Sequence, residues 1–430
     1  MQLTIKKAHS INGNIAVPGD KSISHRAMMV GSLAEGETYV AGFLPAADCL
    51  STMHCLESLG VKIDRLSETE LKIHGVGLRG LKEPSDVLDT GNSGTTTRIM
   101  PGILSGQDLF AVITGDESIR RRPMARVVEP LRLMGAKILG RENGKYAPLA
   151  IKGTRLKGIK YDLPVASAQV KTSLLLAGLL AEGETAVTEP AKSRDHTERM
   201  LKLFGANLEI AGTTYKIKGG QELKAQEVDV PGDISSAAFF IVAALIIGGS
   251  SLTIENVGVN ETRTGLLDAL KAMGADVELL GYEEKSNEPR AAVKVSYSPL
   301  KLATIEGKIV PRIIDEIPIF AVAATQAEGK TTIKGARELR VKESDRIASL
   351  SAELKKMGAD IEELGDGMII NGPTRLKGAR VKSHGDHRIA MSLAIAALVA
   401  DGETIIEDSG CVAISYPSFE KTLISVVKFQ

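Results

Sequence analysis

The sequence predicts an α/β chain of two domains, made from about six copies of one unit in which apolar helices lie inside and sheet lies around them. Three observations predict this. An eight-residue pattern recurs as LESLGVKI (56–63), LRLMGAKI (131–138), LKLFGANL (201–208), LKAMGADV (270–277) and LKKMGADI (354–361), with Gly60, Gly135, Gly205, Gly274 and Gly358 at matching places. Each copy reads as an amphipathic helix end, a Gly turn and a strand start. A second landmark is an apolar helix that ends in a Gly turn before a strand: GSLAEGETYV (31–40), AGLLAEGETAV (177–187), AALIIGGSSLTI (243–254), AATQAEGKTTI (323–333) and AALVADGETII (396–406). Thirdly, these helices open from polar loops, VPGDKS, DTGNSGT, PVASAQ, VPGDIS, PRIIDEIP and SHGDHR.

One unit therefore reads strand, loop, buried helix, Gly turn, strand, amphipathic helix, Gly-Ala turn, strands. That is a βαβα-type element, too large for a thin solenoid repeat. A helix apolar on nearly all faces belongs inside, the reverse of the usual doubly wound sheet. Six units divide as three and three. The chain is expected to change domain near AQEVDVPGDI (225–234), giving one domain of 14–230 and another of 1–13 with 231–430. The strand at 2–9 has no partner in its own repeat and is left to pair with the second half.

Composition narrows the function. The chain has 430 residues, too many for one ordinary core, with 43% hydrophobic and 25% charged residues, the balance of a soluble globular protein. Its formal net charge is +0, against a general nucleic-acid or membrane-surface binder, and aromatics are 3% with no Trp, against base-stacking platforms. The three cysteines, Cys49, Cys55 and Cys411, form no disulfide framework. The N-terminal MQLTIKKAHS lacks the apolar core of a signal peptide, and the longest apolar run, AAFFIVAALIIGG (237–249), falls short of the roughly 20 residues of a membrane span. A cytoplasmic location is the expectation. AEGKTT looks like a phosphate-binding loop, but the Gly-rich lead is missing and the stretch matches the repeat's own turn.

Repeats make a scaffold, so chemistry should sit where copies differ, and the polar loops differ most. PGDKSISHR (18–26), DTGNSGTTTR (89–98), SIRRRPMAR (118–126), ASAQVK (166–171), SRDHTER (193–199), IIDEIP (313–318), RVKESDR (340–346) and HGDHR (384–388) carry cations, hydroxyls and carboxylates. Helix N-termini expose unpaired N–H groups at the positive end of the dipole, and Lys or Arg placed there makes an anion site. Arg at several such places points to more than one anionic, phosphorylated ligand. Local readings compete at each position. Ser or Asp can simply cap a helix. Arg120 to Arg122 can form a solvated loop, and the carboxylates of IIDEIP can cap the helix after them. Lys342, Glu343 and Arg346 can pair along a helix surface. His384, Asp386 and His387 lack the further Cys or His that would complete a metal site.

Along essentially the whole chain, PGDKSISHRA, GNSGTTTR, RRRPM, SAQVK, SRDHTE, RVKESDR and GDHRIAM resemble, in order, the 3-phosphoshikimate 1-carboxyvinyltransferase (5-enolpyruvylshikimate-3-phosphate synthase) family. SAQVK and RDHTE resemble its bacterial glyphosate-tolerant branch. The resemblance implies a two-domain inside-out α/β barrel of six βαβαββ repeats, three per domain, with helices inside, sheets outside and ligands in the interdomain cleft. It implies transfer of the enolpyruvyl group of phosphoenolpyruvate to shikimate 3-phosphate by a monomer, with no metal or organic cofactor. Lys21, Asp315 and Glu343 would handle protons. Lys21, Ser22, Arg26, Ser167, Ala168, Gln169, Arg194, Asp315 and Lys342 would hold shikimate 3-phosphate. Lys21, Gly94, Arg122, Gln169, Arg346 and Arg388 would hold phosphoenolpyruvate.

Two positions depart from that pattern. Ala168 stands where other members carry Ser, which removes a hydroxyl at the shikimate phosphate, and Arg194 is expected to compensate. An apolar residue around Ile414 stands where some members carry Lys. UDP-N-acetylglucosamine 1-carboxyvinyltransferase is the nearest alternative, but it uses a loop cysteine that GDESIRRRPM lacks. RNA 3′-terminal phosphate cyclase shares similar repeats, and the neutral charge and scarce aromatics oppose it. A non-catalytic anion binder would have no use for Asp315 or Glu343.

Overall fold

The computed structural model describes residues 1–429. The chain is mixed α/β and divides into two compact units. One is Gly19–Val230 with Lys285–Glu288, and the other is Met1–Pro18 with Pro231–Glu284 and everything from Pro289 on. Each has its own hydrophobic core.

The recurring glycines have one physical cause. Gly60, Gly135, Gly205, Gly274 and Gly358 all have φ between 86° and 98°, where a Cβ would crowd the following carbonyl. Each directly follows a helix C-cap. At the first, the Gly60 amide donates to the Glu57 carbonyl and the Val61 amide to that of Leu56, at 2.9 and 3.1 Å. Gly135 with Ala136, Gly205 with Ala206, Gly274 with Ala275, and Gly358 with Ala359 repeat this two-bond closure. It satisfies carbonyls that the helix cannot, and only Gly adopts the required backbone cheaply. The pattern read from the sequence is thus a helix stop, used five times.

The helices that these stops terminate keep an exposed face: Ala47–Ser58, Ala125–Leu133, His196–Leu203, Gly265–Ala272 and Arg346–Lys356. A second set is buried nearly throughout. Every residue of Ile234–Ile246, Ile317–Thr325 and His387–Ala397 is buried, and Lys21–Leu33, Gly94–Leu104 and Ala168–Leu180 are buried past their first turn but for Arg98. Their apolar residues fall on all sides, so no face favours water. No helix among the described residues is long and apolar enough to cross a membrane.

Four sheets share one strand order. In one, Leu88–Asp89 runs parallel to Phe110–Thr114, which pairs antiparallel with Tyr146–Lys152, which pairs antiparallel with Lys137–Gly140. The sheets of Lys160–Asp162, Glu184–Thr188, Thr214–Lys218 and Leu208–Ala211, and of Thr304–Ile305, Gly329–Ile333, Gly367–Gly372 and Asp360–Leu364, repeat it. In the fourth, Glu227–Asp229 returns to lie parallel to Glu35–Ala41, the strand after the first buried helix. The N-terminal segment finds its partners far along the chain. Gln2–Lys6 pairs antiparallel with Glu403–Glu407, and Ala8–Ala16 runs parallel to Ser251–Gly258.

Gly205 isolates the backbone term, because nothing lies within 4 Å of where its Cβ would be. Gly205→Ala is expected to destabilise by about 1–2 kcal/mol in chemical denaturation, from the left-handed backbone alone. A variant as stable as the parent would remove the helix-stop explanation.

Candidate active site

In the unit of Gly19–Val230, Lys21 is the first residue of the helix Lys21–Leu33, which Asp20 caps by accepting from the Ile23 amide at 2.9 Å. The Lys21 ammonium lies 2.9 Å from the Asp48 carboxylate, and both side chains are largely buried. Arg194 donates to the Ser22 hydroxyl at 3.4 Å, so two segments far apart in sequence meet at one hydroxyl. Arg26 is placed differently from its neighbours. It is 3% exposed, and it donates to the Thr197 hydroxyl at 2.7 Å, the Thr172 hydroxyl at 3.0 Å and the Ser22 carbonyl at 3.0 Å. Burial pulls its pKa down to about 10. Arg26 is expected among the ligand-binding groups, and these bonds tie it to Ser22, Thr172 and Thr197.

Gly94 is the first residue of Gly94–Leu104, capped by Ser93, which accepts from the Thr96 amide at 3.2 Å. A Cβ at Gly94 would come within 2.7 Å of Arg122 Nη1 and 3.4 Å of Arg98 Nη1. Two guanidinium groups thus converge over a helix N-terminus, where backbone N–H groups and the dipole already favour an anion. Arg122 Nη2 donates to the Ser118 hydroxyl at 3.1 Å. Arg98 donates to Gln169 Oε1 at 2.9 Å, and Gln169 Nε2 donates to the Thr95 hydroxyl at 3.1 Å. Gln169 follows Ala168 at the start of Ala168–Leu180, and Ser167 caps that helix by accepting from Val170.

In the other unit, Arg346 is the centre. It opens Arg346–Lys356, and its side chain is 1% exposed. Its guanidinium lies 3.1 Å from Asp315 Oδ1, 2.6 Å from Glu343 Oε2 and 2.8 Å from Asp386 Oδ2. Burial disfavours its charge, but Asp386, Glu343 and Asp315 together outweigh that and raise its pKa above the ordinary arginine value. Asp315 also lies 3.7 Å from Lys342 and 3.8 Å from Arg388, and its carbonyl accepts from Arg388 at 3.0 Å. Asp386 caps the helix that carries Arg388, accepting from the Arg388 amide at 2.9 Å.

These contacts sort the competing local readings. Asp20, Ser93, Ser167 and Asp386 are helix caps. Arg120 and Arg121 are exposed while Arg122 is buried, so the Arg run is only partly a solvated loop. Glu316, at the N-cap of Ile317–Thr325, makes no side-chain capping bond to that helix. Lys342 and Glu343 precede the helix rather than lying along it, which removes helix-surface pairing. Asp386 binds Arg346, His384 lies 2.8 Å from Glu353, and no group of metal-ligating side chains occurs among the described residues. Ile414 ends the short helical turn Ser409–Ile414. Asp48 and Arg98 were not among the expected site residues. Arg98 was visible one turn after Gly94 in GNSGTTTR, whereas nothing local marks Asp48 as the partner of Lys21.

The family model described as EPSP synthase (3-phosphoshikimate 1-carboxyvinyltransferase) matches residues 5–423. The chain is 53% identical over 427 residues to the 3-phosphoshikimate 1-carboxyvinyltransferase of Desulforamulus reducens, covering 99% of this chain and 100% of that one. It is 56% identical over 420 residues to the protein so named in Bacillus cereus, covering 98% of each. Among solved structures, the EPSP synthase of Acinetobacter baumannii is similar at 45% identity with a TM-score of 0.89, over 100% of this chain and 98% of that one.

Removing a partner from a buried ion cluster leaves uncompensated charge, a loss of about 3–5 kcal/mol. Arg346→Met is expected to destabilise on that scale. Because the folded-state pKa of Arg346 is raised, its contribution is fully present below the unfolded value and is lost only in strong alkali. The loss should therefore be present at both pH 6 and pH 9 in denaturant titrations. A loss confined to one of these pH values would place another titrating group at the centre.

Proposed function

The chain belongs to the EPSP synthase (3-phosphoshikimate 1-carboxyvinyltransferase) family, and on that premise we propose that it transfers the carboxyvinyl group of phosphoenolpyruvate to the 5-hydroxyl of shikimate 3-phosphate and releases phosphate. The observation that carries this reading is the placement of Asp315 and Glu343 on one buried guanidinium, Arg346, with Lys342 and Arg388 beside Asp315. Groups that move protons are held among groups that bind anions.

The chemistry needs both. In the addition, the 5-oxygen bonds to C2 of phosphoenolpyruvate, its proton passes to a base, and the methylene carbon takes a proton from an acid. In the elimination, the new methyl group returns a proton, the double bond re-forms, and the bond from C2 to the phosphate oxygen breaks. We assign the proton traffic to Asp315 and Glu343 with Lys21. Ser22, Arg26, Ser167, Ala168, Gln169, Arg194 and Lys342, with Lys21 and Asp315, serve shikimate 3-phosphate. Gly94, Arg122, Gln169, Arg346 and Arg388, with Lys21, serve phosphoenolpyruvate. The convergence of Arg122 and Arg98 over Gly94 supports an anion there. The contact of Arg194 with Ser22 supports its replacing the hydroxyl that Ala168 lacks.

The same reading takes the fold as an inside-out barrel of six βαβαββ units, three in 14–230 and three in 1–13 with 231–430. The strand order common to four sheets supports it. It takes the chain as a cytoplasmic monomer of the glyphosate-tolerant branch, acting on small molecules without nucleic acid, membrane or cofactor. A thiol mechanism of the UDP-N-acetylglucosamine 1-carboxyvinyltransferase kind is not favoured. Burial pushes the Cys55 thiol up to about 12 and the Cys411 thiol up to about 11, far from forming a thiolate near neutrality.

Inorganic phosphate should appear only when shikimate 3-phosphate and phosphoenolpyruvate are mixed with the enzyme, and Asp315→Ala should cut its release by about 10²–10⁴-fold. Phosphate release from phosphoenolpyruvate alone would defeat the proposal.

Gly94 gives a second test. Its φ is not left-handed, so the backbone itself does not demand Gly there, and an added Cβ would meet the guanidinium tips of Arg122 and Arg98, which must shift to admit it. By the resemblance, glyphosate takes the phosphoenolpyruvate position and is the longer molecule, its far end near Gly94. Gly94→Ala should raise the glyphosate inhibition constant by a larger factor than the Michaelis constant for phosphoenolpyruvate. Equal factors in a well-folded variant would sink the placement of Gly94.

A further inference from the structure

Next to the contact between Arg194 and Ser22 lies a group of charges that no step of the reaction uses. Lys171, in the helix Ala168–Leu180, has a side chain with no exposure. Its ammonium lies 2.8 Å from Glu189 Oε2 and 2.6 Å from Glu198 Oε1, and those side chains are 0% and 1% exposed. It also sits 4.1 Å from the centroid of the Tyr215 ring. Burial opposes the charge on Lys171, but Glu198 and Glu189 prevail and its pKa is raised, while burial raises that of Glu198. One ammonium between two carboxylates leaves a negative charge over. Arg26, buried and within electrostatic reach of Glu198, is a second cation beside these carboxylates.

Such a cluster is a poor way to gain stability, because well-packed apolar side chains would do as well or better. What it does is fix geometry. Glu189 accepts from the Ser193 amide at 3.2 Å and from the Ser193 hydroxyl, so it grips the residue directly before Arg194. Arg26 joins Thr197 to Thr172, whose hydroxyls meet at 2.5 Å. The helix carrying Ser22, the helix carrying Gln169 and the segment carrying Arg194 are thereby tied to one another. The pairing also joins SAQVK to SRDHTER: the Lys of the first lies against the one Glu of the second.

We propose that Lys171, Glu189 and Glu198 are positioning residues that hold the Ser193–Arg194 segment so that Arg194 meets Ser22 and, with it, the phosphate of shikimate 3-phosphate. They act through Arg194 and do not touch substrate. The inference rests on the reading of Arg194 as a contact to that phosphate.

The test is a double-mutant cycle in the full-length enzyme, using Glu189→Gln, Arg194→Ala and both together. Glu189→Gln should raise the Michaelis constant for shikimate 3-phosphate by about 3–10-fold, as expected for a partly lost charge-assisted contact, and leave that for phosphoenolpyruvate within about two-fold. In the Arg194→Ala background it should add less than about two-fold, since residues acting through one contact are non-additive. An equal factor in both backgrounds, or a lowered melting temperature with unchanged Michaelis constants, would overturn the proposal. If Glu189→Gln does not fold, Ser193→Ala, which removes only the hydroxyl link, is read in the same cycle against the same outcomes. If Arg194→Ala alone leaves the Michaelis constant for shikimate 3-phosphate unchanged, the binding role of Arg194 falls and the inference falls with it. If Arg194→Ala raises it and the Glu189 and Ser193 variants do not, only the inference falls.

Discussion

A helix buried along its whole length still needs polar chemistry at its N-terminal turn, whose amides have no partner within the helix. Much of this structure follows from that constraint. Asp20, Ser93, Ser167, Asp233 and Asp386 each give a side-chain oxygen to such a turn. Once capped, the turn is a place of fixed positive potential at the edge of an apolar core, and cations added beside it build on a field already present. Lys21, Gly94, Gln169 and Arg388 all lie within the first two residues of buried helices for this reason.

Charge is arranged differently in the two units. In Gly19–Val230, guanidinium and ammonium groups gather at helix starts: Lys21 on Asp48, Arg98 on Gln169, Arg122 over Gly94, Arg194 on Ser22. In the other unit the organising contacts are carboxylates on Arg346. Arginine suits that role, because it stays charged when buried and offers several donors in a fixed plane, so one side chain can orient several acids. A lysine there would hold fewer partners and could lose its proton on burial.

Arg26 and Arg346 show how far a motif reaches. Both lie in motifs rich in ligand-type residues, and both are almost wholly enclosed by protein partners, hydroxyls and a carbonyl for one and carboxylates for the other. A one-dimensional pattern identifies residue types suited to anions. It does not show which protein groups the same guanidinium ties together.

The sequence by itself determined what acts over a few residues. The Gly stops, the apolar helices and the capping loops were legible because backbone sterics and hydrogen-bond supply operate within one or two turns. The need of the N-terminal strand for a distant partner was legible too, though not that Gln2–Lys6 would lie against Glu403–Glu407. Tertiary structure alone decided which distant charges meet: Asp48 for Lys21, Asp386 for Arg346, Glu189 and Glu198 for Lys171. Such pairs join elements set side by side by packing of apolar faces, a force that carries no label for charge. Once water is excluded, every charge must find a partner nearby, and those partners are fixed by the fold rather than by spacing along the chain.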